Sequence, residues 1–405
     1  MRVLHLSWEF PPKVIGGIAS HVFDLSRALV RRGIEVHVMT CNFPGAKEYE
    51  NIDGVNVCRV ESYAAGDSFL SWALRMQKNM ERSSCDLINF IKGVDLIHAH
   101  DWLSGVAGIG LKHLYRKPLI TTMHSTEYGR RIGIHNDLQA SIHEIESWLC
   151  YESWRVITCS YYMRDHVSWC LRVPENKICV IPNGVDVTKF NFGFNYWEIR
   201  NRFAHGSEKI LLFVGRLVPE KGLDVLIEAL LNILSNGIDA KIVAVGEGPQ
   251  REEHQQMANQ YGLANKILFV GHVDDWTLRA LYRVANVTVV PSKFEPFGIV
   301  ALEAMAARCP LVVCAVGGLN EIVDHEGTGL KVPVNNPDAL AWAIVRIIRD
   351  VRFKDWIVSN AYQKCMWNYN WNNIAEWTAG VYGAVLHEYY TGSWKPINKV
   401  WITIR

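Results

Sequence analysis

Residues 291–306 read Pro291-Ser292-Lys293-Phe294-Glu295-Pro296-Phe297-Gly298-Ile299-Val300-Ala301-Leu302-Glu303-Ala304-Met305-Ala306. They follow a short apolar run, Val287-Thr288-Val289-Val290, turn at Pro296 and Gly298, and enter a segment of helical composition. A strand that turns into a helix in this way points unpaired backbone N–H groups beyond the strand end, and a phosphate is their usual guest. Glu295 and Glu303 lie eight residues apart around the turn. Glu303 is the only polar residue from Ile299 to Ala307, so it belongs to no solvated stripe and needs a partner inside the fold. Amides for a diphosphate and carboxylates for hydroxyls together describe a nucleotide sugar.

Outward from this stretch, short apolar runs alternate with helical patterns. Strands are expected at 3–6, 36–39, 94–98, 119–123, 156–158 and 178–181, and again at 210–214, 241–245, 267–270, 287–290 and 311–313. Many are continuous and β-branched, as parallel strands covered on both faces are. Helical stretches such as 21–32 and 223–232 lie between them. The alternation predicts doubly wound α/β architecture, and eleven or more strands are too many for one sheet. The expected division is a first domain over 1–188 and a second over 189–369, with a helical segment at about 370–405 packing back.

With 405 residues and a formal net charge of +1, the chain has ample core and no electrostatic footprint for nucleic acid. No apolar run approaches a membrane span, and the N-terminus reads as a first strand rather than a signal peptide. Ten scattered cysteines without a C-x-x-C pair suggest reduced core thiols in a cytoplasmic protein.

Ligands of doubly wound sheets bind beyond the C-terminal ends of the strands. The first strand is followed by a loop running from Glu9 through Lys13 to Gly16-Gly17, a glycine pair that opens a helix. It is not a dinucleotide fingerprint, because G-x-G-x-x-G is absent, and Gly246-Glu247-Gly248-Pro249 lacks the third glycine. That argues against a dehydrogenase. His98-Ala99-His100-Asp101-Trp102 holds two histidines and an aspartate. Alternating side chains point to opposite faces of a strand, and no matching His or Cys cluster is evident elsewhere, so no metal is expected. His100 or Asp101 is instead placed at the ligand site or in the scaffold. His124 stands at a strand end, and Arg130 and Arg131 follow as either a solvated basic pair or an anion site. Gly215-Arg216 and Lys221-Gly222 supply two cations five residues apart that are able to neutralise a diphosphate without a metal ion. Gly271-His272-Val273 is a candidate nucleobase loop, and Gly317-Gly318 a site of close backbone approach.

These motifs resemble the GT-B glycosyltransferases, and within them family four, over nearly the whole chain. Glu295 to Glu303 is similar to the family's E-x7-E signature. The resemblance implies two Rossmann-like domains facing across a cleft, a C-terminal helix crossing back to the first, and retaining, metal-independent transfer from a nucleoside-diphosphate sugar. It needs no cofactor, since the nucleotide sugar is a substrate. By carry-over, Arg216 and Lys221 contact the diphosphate, and Glu303 the ribose. Glu295 and His124 lie beside the donor sugar. Gly16, Gly17, Phe297, Gly298, Ile299 and Val300 line the donor. Lys13, His100, Arg130 and Arg131 are acceptor candidates. Thr126-Glu127-Tyr128-Gly129-Arg130 and Gly133-Ile134-His135 look similar to glycogen-synthase-like members, which points to glucosyl transfer from UDP- or ADP-glucose to an α-glucan. A sucrose-phosphate-synthase-like enzyme acting on fructose 6-phosphate is the alternative, though Trp8-Glu9-Phe10 departs from that pattern. A lipid acceptor lacks a basic amphipathic helix to support it. A catalytically silent sugar-nucleotide binder is the reading from another class.

Overall fold

The computed structural model describes residues 1–62 and 68–394. The chain forms two compact units, one of residues 1–182 with the chain from Trp371 onward, the other of residues 183–370.

The first unit holds eight strands: β1 (Arg2–Leu6), β2 (Glu35–Cys41), β3 (Tyr49–Ile52), β4 (Val55–Val60), β5 (Leu96–His100), β6 (Leu119–Met123), β7 (Arg155–Thr158) and β8 (Ile178–Val180). Their order is β3-β4-β2-β1-β5-β6-β7-β8, parallel throughout except the β3–β4 pair. That hairpin was not expected, although its signal is in the chain. Asp53-Gly54 joins two short runs, both residues at positive φ, as a two-residue hairpin turn demands. Strand order reverses between β1 and β5, which run parallel, and this is the switch point where ligands of such sheets bind. The helix Gly17–Arg31 covers this region with Val22, Leu25 and Leu29. The helix Trp371–Thr391 lies against the same core through Trp371, Ile374, Tyr382 and Val385. The last eleven positions of the expected 370–405 segment lie outside the described residues.

The second unit contains β9 (Lys209–Val214), β10 (Ala240–Val245), β11 (Ile267–Gly271), β12 (Val287–Val290), β13 (Leu311–Cys314) and β14 (Leu330–Val332), ordered β11-β10-β9-β12-β13-β14 and all parallel. The three-residue β14 is too short for its period to be read. Here the switch point falls between β9 and β12. It therefore places the loop 215–222 beside the stretch 291–298. Among the described residues, no helix is long and apolar enough to cross a membrane.

Candidate functional site

In the second unit, two loops are stitched together at the switch point. The Lys293 amide donates to the Glu220 carbonyl at 2.8 Å. Gly222 sits at φ +68°, and a β-carbon there would fall 2.1 Å from the Pro291 carbonyl oxygen, so only glycine lets the two backbones touch. This contact aligns the cations with the carboxylates. Lys221 Nζ donates to Glu295 Oε2 at 2.7 Å, and the Ser292 hydroxyl donates to the same oxygen at 3.0 Å. Arg216, half exposed, pairs with Glu220 at 3.2 Å. The motif Gly246-Glu247-Gly248-Pro249 proves to be a packing device. β-Carbons at Gly246 and Gly248 would strike the carbonyls of Gly215 and Leu217 at 2.1 and 2.3 Å.

Gly298, at φ +117°, caps the helix Ile299–Ala306, and Gly318 closes on Phe297 from behind. Among the described residues, the amides of Phe297, Gly298, Ile299 and Val300 donate to no group of the protein. Four free N–H groups at a helix start are donors of the kind anions accept from, with Lys221 beside the same turn. Glu303, one turn further on, is half-buried, and burial pushes its carboxyl up to about 7. The partner its sequence context demanded is Tyr282, whose hydroxyl donates to Oε2 at 2.7 Å. Tyr282 was not singled out in the sequence. Its only signal there is its place on the apolar face of a helix.

Gly271, at φ +77°, ends β11 and accepts the Gly246 amide, while His272 is exposed beside it and Val273 half-buried. Asp274 caps the helix Asp275–Val284.

In the first unit, the Glu9 carboxylate accepts the amides of Ile15 and Gly16 at 2.6 and 2.9 Å. An acidic side chain thus takes up part of the amide nest at the Gly16-Gly17 helix start. Burial pushes its carboxyl up, against those hydrogen bonds. Lys13 is half-buried in the same loop.

His98 and His100, two apart on β5, point to one face, because side chains alternate with period two. The alternation therefore brings them together instead of separating them, with ring centroids 4.3 Å apart. His5 pairs with His98 across β1, while His124 enters from β6 and His21 from the helix Gly17–Arg31. Two nitrogen sets result, His5/His98/His100 and His21/His100/His124, each within 4.8 Å. The sequence argument against a metal, which rested on separation and on the lack of further histidines, does not hold here. Burial holds His98, His100 and His124 well below the usual imidazole range and His5 down to about 3.

Asp101 lies just beyond β5 at φ +57°, ψ 176°, a region nearly reserved for glycine. Its carboxylate accepts the His124 amide at 2.7 Å and so ties the ends of β5 and β6 together. Burial raises its carboxyl to about 7. Arg130 is committed to carboxylates rather than offered to an anion: it donates to Glu127 at 2.9 Å and to the fully buried Glu146 at 3.3 Å. Arg131 lies 3.5 Å from Glu127. Glu146, raised by burial to about 8, was missed because its helix shows little periodicity.

Two doubly wound units in one chain, each with its loops at a switch point, define the GT-B architecture. The description Glycosyltransferase Family 4 matches residues 15–189, and Glycosyl transferases group 1 matches residues 195–364. An uncharacterized glycosyltransferase of Methanocaldococcus jannaschii is 42% identical over 94% of this chain and 98% of its own. A glycogen synthase of Mycobacterium tuberculosis is 34% identical over 94% of each chain. Among solved structures, sucrose-phosphate synthase from Thermosynechococcus elongatus superposes with a TM-score of 0.81 at 26% identity, covering 95% of this chain and 99% of that one. The chain belongs to the family-four glycosyltransferases of GT-B fold and is a hexosyltransferase.

Proposed function

We propose that the enzyme transfers glucose, with retention and without a metal ion, from UDP- or ADP-glucose to an α-glucan. The observation that carries the donor half is the turn 295–303, where free amides, Lys221 and Glu295 meet, with Glu303 one turn further along the helix. In this reading the amides of Phe297 to Val300 with Lys221 and Arg216 hold the diphosphate. As the glycosidic bond lengthens, negative charge grows on that leaving group, and these donors are aimed at it. Glu303 accepts the ribose hydroxyls, and Glu295 and His124 contact the donor sugar. The carboxylates hold hydroxyls rather than acting as the acid–base pair of a hydrolase.

Two observations favour a glucan over fructose 6-phosphate. A relative 34% identical along nearly its whole length is a glycogen synthase. Of the three cations suited to a phosphorylated acceptor, Lys13, Arg130 and Arg131, the two arginines already face Glu127 and Glu146. The likeness to a sucrose-phosphate synthase keeps the second reading in the test.

The experiment is a matrix of UDP-, ADP- and GDP-sugars against glycogen, fructose 6-phosphate and simple sugars, read by nucleotide release and product mass. Glycogen elongation by UDP- or ADP-glucose, undiminished in EDTA, is expected. Activity lost in EDTA and restored by magnesium would refute the metal-free mechanism, and sucrose 6-phosphate as the sole product would refute the acceptor. No nucleotide release with any donor would indicate a silent binder.

A further inference from the structure

The histidines of the first unit form a line. Thr122 Oγ1 lies 2.7 Å from His98 Nε2, and His98 Nδ1 lies 2.7 Å from the Tyr382 hydroxyl. That hydroxyl is 3.2 Å from His5 Nε2. His5 Nδ1 then meets His100 Nε2 at 3.1 Å, and His100 Nδ1 meets His124 Nε2 at 3.2 Å. His5, His98, His100 and Tyr382 are wholly buried, whereas His124 is half-buried at the strand end.

A neutral imidazole has one N–H and one lone pair, so a ring bonded at both nitrogens donates on one side and accepts on the other. Tyr382 could accept from both of its histidines, but its buried hydroxyl proton would then have neither of these two acceptors. With that proton donated to one of them, three such rings and a hydroxyl in series have only two arrangements that satisfy every link, one the reverse of the other. The Thr122 hydroxyl decides between them. Among the described residues its only partner is His98, and a buried hydroxyl that fails to donate wastes its proton. Donation from Thr122 to His98 Nε2 drives the whole series one way. His98 Nδ1–H donates to Tyr382, Tyr382 to His5 Nε2, His5 Nδ1–H to His100 Nε2, and His100 Nδ1–H to His124 Nε2.

We propose that this chain is a tautomer lock on His124. It occupies the Nε2 lone pair and leaves the proton on Nδ1, so that His124 offers a ligand an N–H donor and does not act as a base through Nε2. Thr122 and Tyr382 are positioning residues, the latter contributed from 284 positions beyond His98 in the chain. Hydroxyl, carbonyl and phosphate oxygens are the acceptors such a donor suits. Only the statement that the acceptor belongs to a donor sugar rests on the proposed function.

The test is long-range proton–nitrogen correlation on histidine-labelled wild-type enzyme, with residues assigned by single substitutions. Protonation at Nδ1 in His5, His98, His100 and His124 is expected, the opposite of the Nε2–H form that free neutral histidine prefers. Thr122→Val should scramble the tautomers and lower kcat about tenfold at unchanged nucleotide affinity, as loss of one hydrogen bond implies. Thr122→Ser should restore both. Nε2–H or a mixture at His124 in the wild type overturns the lock. So does a stoichiometric zinc ion, which would claim the same lone pairs. A lock present in a protein without transferase activity would refute the function and leave the lock standing.

Discussion

Glu303 carries the most readable chemistry of any single residue. Its carboxyl, raised by burial to about 7, takes one hydrogen bond from Tyr282. A ribose diol needs the charged form as acceptor, so nucleotide affinity should rise as pH goes from 6 to 8. Glu303→Gln should flatten that profile, and Glu303→Ala should weaken binding by roughly tenfold to a hundredfold, the range for hydrogen bonds to a charged group. Calorimetric titration with UDP and ADP reads both, and an affinity unchanged in Glu303→Ala would remove the ribose assignment. Arg216 lies at the other extreme. Half exposed and held, among the described residues, only by Glu220, it is built to meet charge that appears late. Arg216→Ala should therefore lower kcat by about a hundredfold or more with little effect on nucleotide binding.

At the scale of loops and strands, glycines set the site. Gly222 and Gly237 are both left-handed, at φ +68° and +76°, but a β-carbon at Gly237 meets nothing within 4 Å, whereas at Gly222 it meets the Pro291 carbonyl. Gly237→Ala should cost about 1–2 kcal/mol, the backbone penalty alone. Gly222→Ala should cost more and also lower activity, because it pushes the turn bearing Glu295 off the Lys221 loop. Equal losses in chemical denaturation would contradict this account. The frame around these glycines was legible in part. Continuous apolar runs such as 210–214 announced the parallel strands, and the 291–306 stretch announced its own turn. What escaped was what depends on distant segments meeting. Tyr282 on Glu303, Glu146 on Arg130 and His5 beside His98 are pairings that no local period encodes. Arg130 illustrates this: as a sequence it is a cation near a strand end, and only the fold shows it neutralised.

For the whole molecule, buried titratable groups predict the pH dependence of stability. Asp101, Glu146 and Glu303 keep their protons to about 7, 8 and 7, while an unfolded chain releases them near its ordinary carboxyl values of 3.8 to 4.5. Folding stability from these groups is complete at low pH and is lost as pH rises through the folded values. His5, His98, His100 and His124 refuse protons that the unfolded chain takes up below 6.5, so their contribution is lost as pH falls. Each proton of difference changes stability by ~1.4 kcal/mol per pH unit. Four histidines outweigh three carboxyls on the acid side, and the carboxyls act alone on the alkaline side. The unfolding midpoint should peak at about pH 6 and fall both ways. A midpoint that climbs steadily to pH 8.5 would contradict the burial of these groups. The helix Trp371–Thr391 bears on a different matter. It supplies Trp371, Ile374, Tyr382 and Val385 to a core whose strands all precede residue 182. On the ribosome, those strands emerge long before the helix that seals them. The second unit, contiguous in sequence, has all its parts first, so order of synthesis and order of completion are inverted. A chain interrupted before residue 371 would leave the earlier-made half with an open apolar face, and with His5 and His98 lacking the hydroxyl that joins them.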